Sequence, residues 1–164
     1  MTDDISRVIV APIDGSDYSK NAIEYLCELY AGNRDVKIIL CYILPVLPPL
    51  FADAELQPAV TEHLEVLKKK NREIGEKILS EGKRLFLAKG FAIRQIQTEI
   101  RNRELGVARD ICRLAESKNA DAIILATRGR NRLTTPFIGR IASNVLEYRK
   151  KIPVWLVNSN KLNK

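Results

Sequence analysis

Short apolar runs alternate along the chain with longer stretches in which apolar residues return every three or four positions. The short runs are rich in Val and Ile and are bounded by Gly, Pro, Asp or Asn, which is typical of buried strands. Strands are therefore predicted at 7–13, 36–43, 91–101, 121–127 and 152–157.

The stretches between these strands predict four helices. Ser16 or Asp17 is the expected N-cap of the first helix, which continues to Gly32. The other three are predicted from about Thr61 to Lys89, from Gly106 to Asn119, and from a glycine-containing segment to about Lys150. The longest of them is expected to bury its apolar positions Leu64, Leu67, Ile74, Ile78 and Leu85.

The order of the elements is β-α-β-α-β-α-β-α-β. Strands that alternate with helices and are apolar on both faces belong to a parallel sheet covered on both sides. We therefore predict one α/β domain, residues 1–164, with a five-stranded parallel sheet and helices on both faces. The proline-rich residues 45–60 predict an irregular loop, and 158–164 a flexible tail.

Composition narrows the class of protein. The 46% apolar and 29% charged fractions are ordinary for a soluble globular chain. No apolar stretch reaches the roughly 18 to 20 residues that span a bilayer, and the acidic start does not resemble a secretory signal. The three cysteines lack metal or redox spacing, so we expect a reduced, cytoplasmic protein with no membrane contact.

Positive charge collects at one end of the chain. From Ile124 onward there are nine Lys and Arg residues and one acid, Glu147, so this segment has a net charge of +8. The whole chain has a net charge of +7, so the residues before Ile124 have a net charge of −1. Such an end attracts phosphate, nucleic acid or an acidic protein. The alternative is a solvated tail and a helix C-terminus whose basic residues interact favourably with the negative end of the helix dipole.

Two segments follow predicted strands and contain glycine. Asp14-Gly15-Ser16 comes after the first strand, and the segment from Thr127 to Arg140 after the fourth. In open parallel sheets, ligands bind beyond the carboxyl ends of the strands, where the strand order reverses. A glycine turn that leads into a helix offers backbone N–H groups to phosphate.

These segments resemble the universal stress protein family. The resemblance rests on VIVAPIDGSDYSKNAIEYL, on NADAIILATRGRNRL, on the ten-residue step from Gly129 to Gly139, and on the closing PVWLV, and it covers almost the whole chain. It implies a five-stranded open parallel sheet of the Rossmann-like, adenine-nucleotide α-hydrolase-like fold. It also implies a homodimer formed through the last strand, 152–157. It also implies an adenine nucleotide, ATP or AMP, and leaves Mg²⁺ open.

The glycine pattern departs from that of nucleotide-binding relatives, which resemble one another in G-x2-G-x9-G-(S/T). Here Ala126 replaces the first glycine and Arg140 the hydroxyl residue, whereas Gly129 and Gly139 are kept. Arg140 removes a small donor but supplies a charged, planar fork that suits phosphate. The alternative is that the loop keeps its fold and has lost the nucleotide.

The resemblance also implies the remaining contacts. Asp14 takes the place of the aspartate that faces the ribose or adenine, although an Asx-turn that closes the bend at Gly15 is the alternative. The nucleotide-binding residues that the resemblance implies are Pro12, Asp14, Tyr42, Ala126, Gly129, Gly139, Arg140, Ile141 and Asn144.

Catalysis has little support in the sequence. The one histidine, His63, lies far from both segments and is expected at the surface, and no nucleophile elbow, Walker motif or GxGxxG is present. We expect a binding or signalling module, at most a slow ATPase. The alternative is a nucleotide-free dimer that acts on an unknown protein partner through its dimer surface and basic end. Aromatic residues do not alternate with the Lys and Arg residues, so nucleic-acid binding is not favoured.

Overall fold

The computed structural model describes residues 6–46, 58–127 and 138–158. The strands are β1 Arg7–Pro12, β2 Val36–Ile43, β3 Ile96–Arg101, β4 Ala122–Ala126 and β5 Val154–Val157. The helices are α1 Asp17–Leu29, α2 Pro58–Ala88, α3 Val107–Ser117 and α4 Arg140–Tyr148.

The five strands form one parallel sheet in the order β3-β2-β1-β4-β5. β1 therefore lies at the centre, with β2 on one side and β4 on the other. This order confirms the predicted five-stranded open parallel α/β fold.

Each face of the sheet is covered by two helices. One buried cluster joins α1 and α2 to side chains such as Ile9, Ile38 and Leu40, and the other joins α3 and α4 to Val10 and Ile39. Successive strand residues thus point to opposite cores, which explains why the strands are apolar throughout. The three cysteines are buried in these cores.

The buried face of α2 differs from the prediction. Leu64 is buried, but Ile74 is 38% exposed, so its assignment to the core was wrong. The glycines at positions 75 and 82 lie on the core face instead. A Cβ on Gly75 would stand 2.6 Å from the Tyr42 ring, and one on Gly82 would stand 3.0 Å from Ile13. The sheet side chains fill the space that larger helix residues would occupy.

Several element bounds also differ. β3 begins at Ile96 rather than at residue 91, because 93–95 form a 3-10 turn in which buried Gln95 donates to the carbonyl oxygens of Asn33 and Val36. α2 begins at Pro58, three residues before the predicted start. The predicted loop at 45–60 and tail at 158–164 lie largely outside the described residues.

Two further features bear on the predicted class of protein. No helix within the described ranges is long and apolar enough to cross a membrane. His63 is exposed on α2, as expected.

Candidate functional site

The strand order reverses at β1 and β4. The helix after β1 covers one face of the sheet, and the helix after β4 covers the other. Ile9 pairs with Ala122, and the same register continued along both strands sets Asp14 level with Thr127. Both glycine-containing segments identified in the sequence therefore leave the sheet side by side, at the switch point where ligands bind in this architecture.

The turn from β1 to α1 is held by side-chain hydrogen bonds. Asp14 Oδ1 accepts from the Ser16 N–H at 2.9 Å and from the Ser16 hydroxyl at 2.6 Å. Ser16 Oγ in turn accepts from the Ser19 N–H at 3.2 Å, which caps α1. The Asx-turn considered as an alternative role for Asp14 is thus present. The contact of Asp14 with a ligand stays a prediction.

Gly15 allows α2 to approach this turn closely. Its φ of +77° lies in the region that favours glycine. A Cβ on Gly15 would stand 2.9 Å from Cδ1 and Cγ1 of Ile78. The apolar spacing of α2 predicted Ile78 as a buried residue, but it gave no signal for this contact with the turn after β1.

The second segment returns to the end of β4 and starts α4. The Thr127 N–H donates to the Val157 carbonyl at 2.9 Å, and the Gly139 N–H donates to the Thr127 carbonyl at 2.5 Å. Gly139 is the N-cap of α4, and neither a capping side chain nor an acid in the first turn neutralises this end. The positive end of the α4 dipole and its first backbone N–H groups therefore lie beside the end of β4.

Glycine at position 139 is not required by the backbone. Its φ of −66° is one that any residue adopts. Its N–H donates to the Thr127 carbonyl, so the backbone of residue 139 lies at the end of β4. A glycine at such a position is compatible with a close backbone approach to a phosphate.

The other predicted site residues lie around this edge. Pro12 and Ala126, the last residues of β1 and β4, are half-buried, and so is Asn144 on α4. Arg140 and Ile141 are exposed in the first turn of α4. Gly129 lies outside the described residues.

Tyr42 differs from the other predicted contacts in its environment. It is the second-last residue of β2 and is 8% exposed, with its ring packed on Gly75 of α2. Burial under α2 fixes the ring in the core that supports the site. Its predicted role in lining a base pocket stays a prediction.

An open cavity in the described part of the chain lies elsewhere. It has a volume of about 380 Å³ and runs between α2 and β3. It is lined by Arg72, Glu76, Leu79, Ser80, Lys83, Thr98 and Ile100. It lies beside β3, two strands away from β1. We give more weight to the crevice between β1 and β4, because the uncapped start of α4 lies there beside the end of β4.

Metal-binding groups and cysteine thiols also bear on the chemistry of the site. Within the described ranges no group of three His, Cys, Asp or Glu side chains could hold a metal ion. Burial raises the pKa of the Cys41 thiol to about 12 and those of Cys27 and Cys112 to about 11, so these thiols stay protonated and are poor nucleophiles. The polar groups that the described residues bring to the switch point include the backbone N–H groups at the start of α4 and the Asp14 carboxylate.

Known proteins are similar to this chain in sequence and in fold. The chain is 28% identical over 160 residues to the universal stress protein MJ0531 of Methanocaldococcus jannaschii, covering 97% of this chain and 86% of the relative. The fold matches the solved structure of the protein MJ0577 with a TM-score of 0.72 at 20% identity, over 94% of this chain and 96% of the other.

Other solved structures of the same fold contain nucleotides. The universal stress protein of Archaeoglobus fulgidus in complex with dAMP matches with a TM-score of 0.64 at 18% identity, over 93% of this chain and 98% of the other. Two further members were solved with cAMP and with AMP. The model of the universal stress protein family matches residues 6–158. The chain belongs to the universal stress protein family.

Proposed function

We propose that this chain is a stress-response module that binds an adenine nucleotide, ATP or AMP, beyond the carboxyl ends of β1 and β4. The observation that carries the proposal is that Asp14 and the N-terminus of α4 lie at the ends of two neighbouring strands. Asp14 follows β1, and the N-terminus of α4 lies beside the end of β4. A carboxylate suits ribose hydroxyls and a helix N-terminus suits phosphate, so the two ends of a nucleotide each meet a matching group.

The ligands of similar proteins support this proposal. Three solved structures of the same fold contain dAMP, cAMP or AMP. All three ligands carry adenine, a ribose-type sugar and one phosphate, so the shared chemistry is that of an adenine mononucleotide.

Arg140 takes part in phosphate binding in this proposal. It is exposed at the first position of α4, directly after Gly139. A guanidinium at a helix N-terminus adds charged donors to the backbone N–H groups and compensates for the missing hydroxyl residue.

The role we propose is signalling or protection in the cytoplasm. In this proposal the backbone N–H groups at the start of α4 bind the anion, and the Asp14 carboxylate already closes a turn. Turnover also needs a group that activates water. Because the Asp14 carboxylate is engaged in the turn with Ser16, we expect hydrolysis of ATP to be slow at most.

A thermal-shift titration with AMP, ADP and ATP, with and without Mg²⁺, tests the proposal. A ligand that binds only the folded state at a hundredfold excess over its Kd stabilises it by about 2.7 kcal/mol. The informative variant is Asp14→Asn, because the amide oxygen can still accept from Ser16 and keep the turn. Asp17→Asn, an exposed acid three residues away, makes the same charge change outside the site and is the control.

We expect a saturable rise in Tm for the wild type and for Asp14→Asn a smaller rise at equal ligand. The Asp17→Asn control should behave as the wild type. If no nucleotide raises the Tm of the wild type, the proposal is wrong, and the nucleotide-free alternative, with an unknown protein partner at the basic end, takes its place.

We also propose that two copies pair through β5. It is an edge strand whose inner side bonds to β4, and Trp155 is half-buried against the core shared by α1 and α2. Because the carbonyls of residues 153 and 157 face β4, the amide of Val154 faces outward. Val154→Pro removes that donor at the first position of the strand, and it should convert a dimer to a monomer in sedimentation equilibrium. A monomeric wild type would refute the pairing.

A further inference from the structure

Helix α2 is much longer than the strands it covers. Its 31 residues span about 46 Å at a rise of about 1.5 Å per residue, whereas the eight residues of β2 span about 26 Å. Gly82 lies level with Leu40, and Gly75 lies level with Tyr42 near the end of β2. The part of α2 before Gly75 therefore extends beyond the carboxyl edge of the sheet, on the side where the switch point lies.

One flank of α2 faces α1 and the end of β1. Ile78 and Leu85 share a small cavity with Lys20 and Ile23 of α1. Ile78 also reaches the Gly15 turn, where a Cβ would stand 2.9 Å from it. This flank is thus the one that looks towards β1 and β4, and the opposite flank looks towards β3.

Ile74 continues this flank beyond the sheet. It lies one turn before Ile78 on the same side of the helix, about 6 Å further along the axis. Whereas Ile78 packs partly into the core beside Gly15, Ile74 is 38% exposed. A large aliphatic side chain is therefore exposed one helical turn beyond the Ile78 side chain that meets the Gly15 turn.

We infer that Ile74 forms the apolar wall of the nucleotide site and packs against the adenine base; this inference rests on the proposed function. Asp14 and the N-terminus of α4 take the sugar and the phosphate, which leaves the base to be covered by an apolar surface. Nucleotide pockets are lined mainly by such surfaces. Ile74 is the exposed aliphatic side chain on the flank of α2 that faces Asp14.

A matched pair of substitutions tests the inference. Ile74→Ala removes the wall, and Val66→Ala removes a 57% exposed aliphatic side chain from the outward side of the same helix, where Glu62 and Lys69 are also exposed. Both sites are exposed, so both variants should fold, which circular dichroism checks. Isothermal titration with AMP then gives the Kd of each.

We expect Ile74→Ala to raise the Kd for AMP about tenfold, equivalent to about 1.4 kcal/mol. Val66→Ala should leave the Kd unchanged. In the wild-type complex, intermolecular nuclear Overhauser effects should join the Ile74 methyl groups to H2 or H8 of the adenine.

The outcomes separate the two proposals. If the wild type does not bind AMP, the proposed function and the inference both fail. If the wild type binds AMP, but Ile74→Ala behaves as Val66→Ala or the methyl groups show no effect with the adenine protons, the inference alone is wrong.

Discussion

The close contact between Gly75 and Tyr42 makes a strong prediction about stability. A Cβ on Gly75 would lie 2.6 Å from Cδ1, 3.0 Å from Cε1 and 3.4 Å from Cγ of the Tyr42 ring. The ring is 8% exposed and held between the sheet and α2, so it has little room to move. Gly82 is the matched control, because its Cβ would meet the terminal methyl groups of Ile13, Leu40 and Ile23 at 3.0 to 3.3 Å.

Two effects oppose each other in Gly75→Ala. Overpacking a well-filled core costs about 1 to 3 kcal/mol, and a rigid ring at this distance favours the upper part of that range. Alanine in place of glycine inside a helix recovers about 1 kcal/mol. We expect a net loss of about 1 to 2 kcal/mol for Gly75→Ala, which for a chain of this size lowers Tm by about 5 °C.

In Gly82→Ala the methyl groups can shift by a few tenths of an ångström. The gain in helix propensity should then offset the crowding, leaving the free energy of unfolding within about 0.5 kcal/mol of the wild type. Urea denaturation followed by circular dichroism, at one fixed protein concentration, measures both variants. Equal stability of the two variants would refute the packing argument.

Three further predictions concern the rest of the fold. Asp110 is 7% exposed, and its carboxylate accepts from the backbone N–H groups of residues 104–106 at 2.9 to 3.3 Å. Asp110→Ala should therefore cost about 2 kcal/mol in urea denaturation, and a cost below about 0.5 kcal/mol would show that water replaces these bonds. Burial raises the pKa of Glu99, but hydrogen bonds and charges from Lys118 and Arg101 outweigh it and lower the pKa below its ordinary 4.5. The stability lost in Glu99→Gln should be largest near neutral pH and should shrink as the pH falls through the lowered pKa, because protonation removes the same charge; a loss that stays constant down to pH 3 would contradict this. The buried thiols, with that of Cys41 at a pKa of about 12, should react with a thiol reagent only after unfolding, and fast labelling of the native protein would disprove their burial.

The sheet was largely predictable from the sequence. β2 has the predicted bounds because both of its faces meet a core, which leaves an uninterrupted apolar run. β3 was predicted five residues too early, since 91–95 have a similar apolar pattern. The bonds that turn this segment aside, from the Gln95 amide to the carbonyls of Asn33 and Val36, join residues about 60 positions apart and leave no local signal.

The face of α2 was less predictable for a related reason. Apolar spacing favoured Ile74 as a core residue, whereas Gly75 is the residue that meets the sheet. The space at that position is decided by the Tyr42 ring from another element. For the site, the choice between Ser16 and Asp17 as N-cap needed the hydrogen bond to Ser19, and the closeness of Asp14 to α4 needed the strand order.

The central claim is that an adenine nucleotide binds between β1 and β4, and chemical-shift mapping tests it most directly. Backbone N–H signals of a ¹⁵N-labelled protein are followed as AMP is added. The account predicts saturable shifts at Gly15, Gly139 and Ile141, which bracket the switch point. Shifts concentrated at Ser80 and Thr98, in the cavity between α2 and β3, or no shifts at all, would contradict it.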